Sequence, residues 1–91
     1  MNEADGIDRP RLEFPCEYPI KVIGEATTKV ADIINAVRHH APEVTPDQIN
    51  TRQSRAGNYQ SVRITIVATG EPQLRDLHAE LMAIAGVRMV L

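Results

Sequence analysis

The stretch Ser54-Arg55-Ala56-Gly57-Asn58-Tyr59-Gln60-Ser61-Val62-Arg63-Ile64-Thr65-Ile66 decides how this chain folds. Gly57-Asn58 supplies residues that tolerate positive φ, which a tight hairpin turn requires. Beyond the turn, Val62, Ile64 and Ile66 alternate with Ser61, Arg63 and Thr65, the period of a strand with one apolar and one polar face. A strand is expected over Tyr59 to Ala68, with an antiparallel partner before it. Between Glu43 and Arg55 the residues are polar apart from Val44 and Ile49, and Pro46 interrupts them, so that partner is expected to be an edge strand.

On the N-terminal side, Tyr18, Ile20 and Val22 alternate with Pro19, Lys21 and Ile23 up to Gly24, giving a first strand. Val30, Ile33, Ile34, Val37 and Ala41 then recur at helical spacing, with Thr27 or Thr28 expected to cap the start and Pro42 to end the run. On the C-terminal side, Thr69 is expected to cap a second helix whose buried stripe is Leu74, Leu77, Leu81 and Ile84. Gly86 suits the left-handed position after a helix, and Val87, Met89 and Leu91 alternate as a last strand. The order βαββαβ, with right-handed crossovers, predicts an α+β ferredoxin-like plait: a four-stranded antiparallel sheet, first and third strands central, both helices on one face.

Ninety-one residues allow one domain, which buries roughly 60–65% of its unfolded surface. Residues 1–12 are polar and aperiodic and are expected to form a disordered tail ahead of a single domain over 13–91. Aromatic residues make up 3% of the chain, so the core must be aliphatic and stacking platforms for bases are excluded. Ten Lys and Arg against twelve Asp and Glu leave a net charge of −2, which argues against a polyanion binder acting through bulk charge. Cys16 is the lone cysteine, which excludes an internal disulfide and suits a reducing cytoplasm. No run of about 18 apolar residues is present to cross a membrane.

Because the helices cover one side of the sheet, the other meets water or a partner. Alternation from Ile20, Val22, Val62, Ile64, Ile66, Val87, Met89 and Leu91 on the core side sends Lys21, Ile23, Ser61, Arg63, Thr65, Val67, Arg88 and Val90 to the open side, with Arg52 joining from the edge strand. None of these is acidic. The expected partner-binding face is therefore Lys21, Ile23, Arg52, Arg63, Val67, Arg88 and Val90, suited to an acidic protein or to a second copy of the chain; a merely solvated face is the alternative. Two loops are further candidates: Gly24, Thr27 and Thr28 at a helix N-terminus for a small ligand, and the basic hairpin Arg55, Gly57, Asn58 and Tyr59.

His39 and His40 are neighbours on a helix and point in different directions, so a metal site is not expected of them; an interaction with the helix C-terminus is. Cys16 has no evident base and is expected to be inert. No catalytic triad, carboxylate pair or phosphate-cradling loop appears, so neither enzymatic activity nor a cofactor is expected.

Leu12-Glu13-Phe14-Pro15, Lys21-Val22 with Gly24, His40-Ala41-Pro42, Ser54 with Gly57-Asn58-Tyr59, Ser61-Val62 with Ile64-Thr65, and Val87-Arg88-Met89-Val90-Leu91 together resemble the YbeD family of small bacterial proteins. Family members carry lysine where this chain has Ala56, with the charge here displaced to Arg55. The resemblance implies a ferredoxin-like domain similar to ACT regulatory domains, hence a regulatory or adaptor module. An ACT-like small-ligand sensor is the alternative that it implies, and a nucleic-acid binder is less favoured by the residues.

Overall fold

The computed structural model describes residues 13–91; the tail expected over 1–12 lies outside the described residues. Six main elements succeed one another: β1 (Cys16–Glu25), α1 (Val30–His40), β2 (Ile49–Gln53), β3 (Tyr59–Ala68), α2 (Glu71–Met82) and β4 (Val87–Val90), with a short 3-10 turn at Pro46–Gln48 leading into β2. The sheet order is β2-β3-β1-β4, and every neighbouring pair is antiparallel. This is the expected α+β plait, with the first and third strands central.

Alternation makes the sheet one-sided. Ile20 and Val22 of β1 and Val62, Ile64 and Ile66 of β3 are buried against Ile33, Ala36 and Val37 of α1 and Leu77 and Leu81 of α2. Each fully buried aliphatic side chain of this kind contributes about 1.5–3 kcal/mol relative to exposure, so this layer dominates folding. Leu74 and Ile84 pack at its margin.

The β1–α1 junction differs from expectation. The helix begins at Val30, and Lys29 occupies the cap without a side-chain bond. Thr28 is instead buried; its hydroxyl donates to the Ala85 carbonyl at 3.3 Å. Its Oγ1 fills the space beside two glycines: a Cβ would lie 3.1 Å from it at Gly24 and 2.1 Å from it at Gly86. Gly86 also has φ +88°, so this position excludes other residues twice over, by conformation and by space. In the hairpin, Gly57 (φ +79°) alone takes the left-handed region, and Asn58 does not. Thr69 is not the cap of α2; Gly70 is, and the Thr69 N–H donates to Gln73 Oε1 at 2.8 Å.

The last strand carries the largest change of facing. Val22 pairs with Val90, Ile23 with Met89 and Gly24 with Val87, so Arg88 is an extra residue, a bulge. The bulge reverses the parity expected for the end of the chain. Val90 packs on the core, whereas Met89 is 47% and Leu91 61% exposed.

Candidate docking surface

Strand β1 places Glu17, Pro19, Lys21, Ile23 and Glu25 on the open side, opposite Val67, Thr65, Arg63, Ser61 and Tyr59 of β3. From β2, Asn50 faces Arg63 and Arg52 faces Ser61. From β4, Met89 lies beside Ile23. Two rows thus cross the middle of the sheet: Arg52, Ser61, Ile23, Met89, and Asn50, Arg63, Lys21, Leu91.

The second row holds an unfavourable pair. The Lys21 N–H donates to the Leu91 carbonyl at 3.1 Å and the Leu91 N–H to the Lys21 carbonyl at 2.8 Å, so the backbone groups of Lys21 turn toward β4. Lys21 and Arg63 are consequently a non-hydrogen-bonded pair across β1 and β3, the kind whose Cα atoms approach to about 4.5 Å and whose side chains lie closest. Two like charges opposite one another cost roughly 0.2–1 kcal/mol. Among the described residues no ion pair involves Lys21, Arg52 or Arg63.

The face is not free of acid, contrary to expectation. β1 runs further in both directions than its apolar residues indicate, and this brings in Glu17 and Glu25. Each stands four residues from Lys21, about 13 Å along the strand, beyond the roughly 8 Å screening length at physiological salt. The carboxylates therefore bracket the cationic centre without neutralising it. Arg88 is neutralised, because its guanidinium donates to Glu25 at the end of the face. Of the seven residues expected on the partner-binding face, Lys21, Ile23, Arg52, Arg63 and Val67 lie there, Arg88 is engaged at the edge, and Val90 faces the helices.

Asn50, Thr51, Arg52, Ser61 and Arg63 line a shallow depression of about 340 Å³. A neighbouring hollow of about 170 Å³ joins Lys21 and Ile23 to Arg52, Ser61 and Tyr59. The two share Arg52 and Ser61, which makes one trough that is mainly polar on the β2 side and mainly apolar toward Ile23 and Tyr59. Tyr59 lies at its end and Tyr18 on the helix side, so the trough lacks the central aromatic pair that base stacking uses.

The two candidate loops differ from the trough. Around Gly24, Thr27 and Thr28, the amides of Glu25, Ala26 and Thr28 already donate to the carbonyls of Gly86, Asn58 and Glu25, and the Thr28 side chain fills the remaining space. That loop holds itself rather than presenting donors to an anion. In the hairpin, Arg55, Gly57, Asn58 and Tyr59 are all exposed, and Ser54 ties its base by bonding both the N–H and the carbonyl of Tyr59.

The histidines are brought together where the sequence reading sets them apart. His39 Nδ1 lies 3.2 Å and His40 Nε2 2.7 Å from the same oxygen, Glu80 Oε1. Hydrogen bonds from His40 and then His39 hold the Glu80 carboxyl below its ordinary range. Adjacent residues on a helix project about 100° apart, and here they straddle the facing residue of α2. Glu80 is forty residues away, so no local spacing signals this cluster.

Residues 9–91 match the family model described as "Protein of unknown function (DUF493)". The chain belongs to this family. Within the DUF493 family it is 43% identical, over the full length of both chains, to a UPF0250 protein of Azotobacter vinelandii, and 39% identical, again over both full lengths, to one of Pseudomonas aeruginosa. These relatives uphold the YbeD resemblance read from the sequence. The fold of this chain is similar to the solution structure of protein HP0495 from H. pylori, with a TM-score of 0.70 and 13% identity, covering 91% of this chain and 88% of that one. Among the described residues of this DUF493 chain, no helix is long and apolar enough to cross a membrane.

Proposed function

We propose that this DUF493 chain is a non-catalytic regulatory or adaptor module of the bacterial cytoplasm that docks an acidic segment of a protein partner on its open sheet face. The observation that carries this is the cluster of Lys21, Arg52 and Arg63: three cations on adjacent strands, without a carboxylate against them, two of them in the closest type of cross-strand pair. A monomer gains nothing from that arrangement, whereas an acidic partner relieves its repulsion and gains the charge-assisted bonds that guanidinium groups form with carboxylates. Ile23 and Met89 border the cluster and supply apolar area for contact, with Val67 further along the face opposite Glu17. Self-association through the same face is less favoured, because a two-fold axis would set these cations against their own copies.

The test is capture from the native host with wild-type chain and with the Arg52→Glu, Arg63→Glu double variant. The variant is expected to lose the captured partner while its thermal midpoint stays within a few degrees. Equal capture by both chains refutes the reading, and so does a captured partner whose contact segment has no acidic residues. A concentration-dependent dimer that the double variant strengthens would point to self-association instead.

A further inference from the structure

The strongest unassigned chemistry lies on the opposite side of the molecule, where α1 ends against α2. His39 Nδ1, His40 Nε2 and a Glu80 carboxylate oxygen lie within 4.8 Å of one another. Two imidazoles and a carboxylate form a donor set of borderline softness, matched to Zn²⁺ and its first-row neighbours rather than to Mg²⁺ or Ca²⁺. The spacing is close to what a metal needs. Bonds of about 2.0–2.2 Å in tetrahedral geometry place donor atoms roughly 3.3–3.5 Å apart, and the two nitrogens stand 2.7 and 3.2 Å from the shared oxygen. The two imidazole nitrogens stand within 4.8 Å of each other and would close on the ion by side-chain rotation.

The surroundings support a cation there. Both histidines belong to the last turn of α1, where the helix dipole presents its negative end. The backbone of that turn is held from outside: Gln73 Nε2 donates to the His40 carbonyl at 2.9 Å, and Gln73 is itself fixed by the Thr69 N–H. His40 is largely covered, with its side chain 19% exposed, whereas the His39 side chain is 73% exposed, which leaves a route for the ion and a fourth position for water. We propose that His39, His40 and Glu80 bind one divalent transition-metal ion, with Zn²⁺ as the preferred occupant, clamping the C-terminus of α1 to α2.

This site is independent of the open sheet face, and its test involves no partner. Metal-free protein without an affinity tag is titrated with Zn²⁺ by calorimetry and with Co²⁺ by visible absorption. The wild type is expected to take up a single ion with a tetrahedral Co²⁺ band, and Zn²⁺ to raise its thermal midpoint. Affinity is expected to fall at least about tenfold in His40→Gln and in Glu80→Gln, no less than the loss of an outer partner of a metal ligand produces. His78→Gln, on the same helix as Glu80 but outside the cluster, keeps wild-type affinity. The proposal is overturned if wild-type protein shows neither heat nor a midpoint shift up to millimolar Zn²⁺, or if both substitutions bind as tightly as wild type.

Discussion

Lys21 and Arg63 face each other across the two central strands in a non-hydrogen-bonded register, with no carboxylate of the described chain against either. Arg63→Glu converts this repulsion into an opposite-charge pair. It is expected to leave the unfolding free energy unchanged or to raise it by up to about 1 kcal/mol at low salt, an effect that fades as salt is added. Urea unfolding at two ionic strengths measures this. A loss above about 1 kcal/mol would mean that the Arg63 stem, not its charge, is what the face relies on.

Gly86 and Gly57 share positive φ but not their surroundings. Gly57→Ala meets open space and should cost only the left-handed strain, about 1–2 kcal/mol. Gly86→Ala drives a methyl into Thr28 Oγ1, which adds an overpacking cost of about 1–3 kcal/mol to the same strain. Thermal unfolding of the two variants should separate them clearly. Equal costs would place the Thr28 hydroxyl elsewhere than against Gly86.

Gln60 is a buried amide on the helix side of β3, and its Nε2 donates to the carbonyl of Thr28 at 2.6 Å and to that of Glu25 at 3.2 Å. Gln60→Met keeps the volume and abandons those carbonyls, for an expected cost of about 1–3 kcal/mol. Gln60→Glu should be worse near neutral pH, because an ionised carboxylate only accepts hydrogen bonds and here faces acceptors. Amide exchange at Ala26 and Thr28 reports the loosening. Unchanged protection in both variants would contradict this account.

Val90 and Met89 test the bulge. Val90→Ala removes methyl groups that pack on the core and should cost about 1–2 kcal/mol, whereas Met89→Ala should stay within about 0.5 kcal/mol. The reverse order would restore the uninterrupted alternation.

Asp47 supplies a pH signature. The Thr45 hydroxyl, and after it the Asp47 backbone N–H, bond the carboxylate and lower its pKa from the ordinary 3.8. A lowered folded-state pKa stabilises the fold above the unfolded value, and that contribution disappears as pH falls through the folded one. Carbon-detected NMR should find the Asp47 midpoint below 3.8 in the wild type and closer to it in Thr45→Val. A wild-type midpoint at or above 3.8 contradicts the bond.

Periodicity made most of the fold readable. The ten-residue alternation of β3 and the Leu77 and Leu81 spacing of α2 each admit one interpretation, and the crossover rules then leave a single sheet order. Facing at the end of the chain was not readable, since β4 has four residues and a single inserted Arg88 inverts the facing of Met89, Val90 and Leu91. The Thr45-Pro46-Asp47-Gln48 turn did carry a local signal, a Thr with Gln three residues on, which is a capping box and which narrows the edge strand to Ile49–Gln53. Of the open face, the central cations came from parity alone. The flanking Glu17 and Glu25 depend on strand length, and the meeting of His39, His40 and Glu80 depends on the rotational phase of two packed helices, which apolar spacing specifies only to within a turn.

The Gln60 amide and the bond from the Ala26 N–H to the Asn58 carbonyl at 2.9 Å tie the segment entering α1 to the β2–β3 hairpin and the start of β3. The bonds of Glu25 to Gly86 and of Thr28 to Ala85 tie the same segment to the turn before β4. Gln60 stands between Tyr59 and Ser61 of the open face, yet its own side chain serves the opening turn of α1 on the other face. The two flanks of this small domain thus meet in three consecutive residues of one strand.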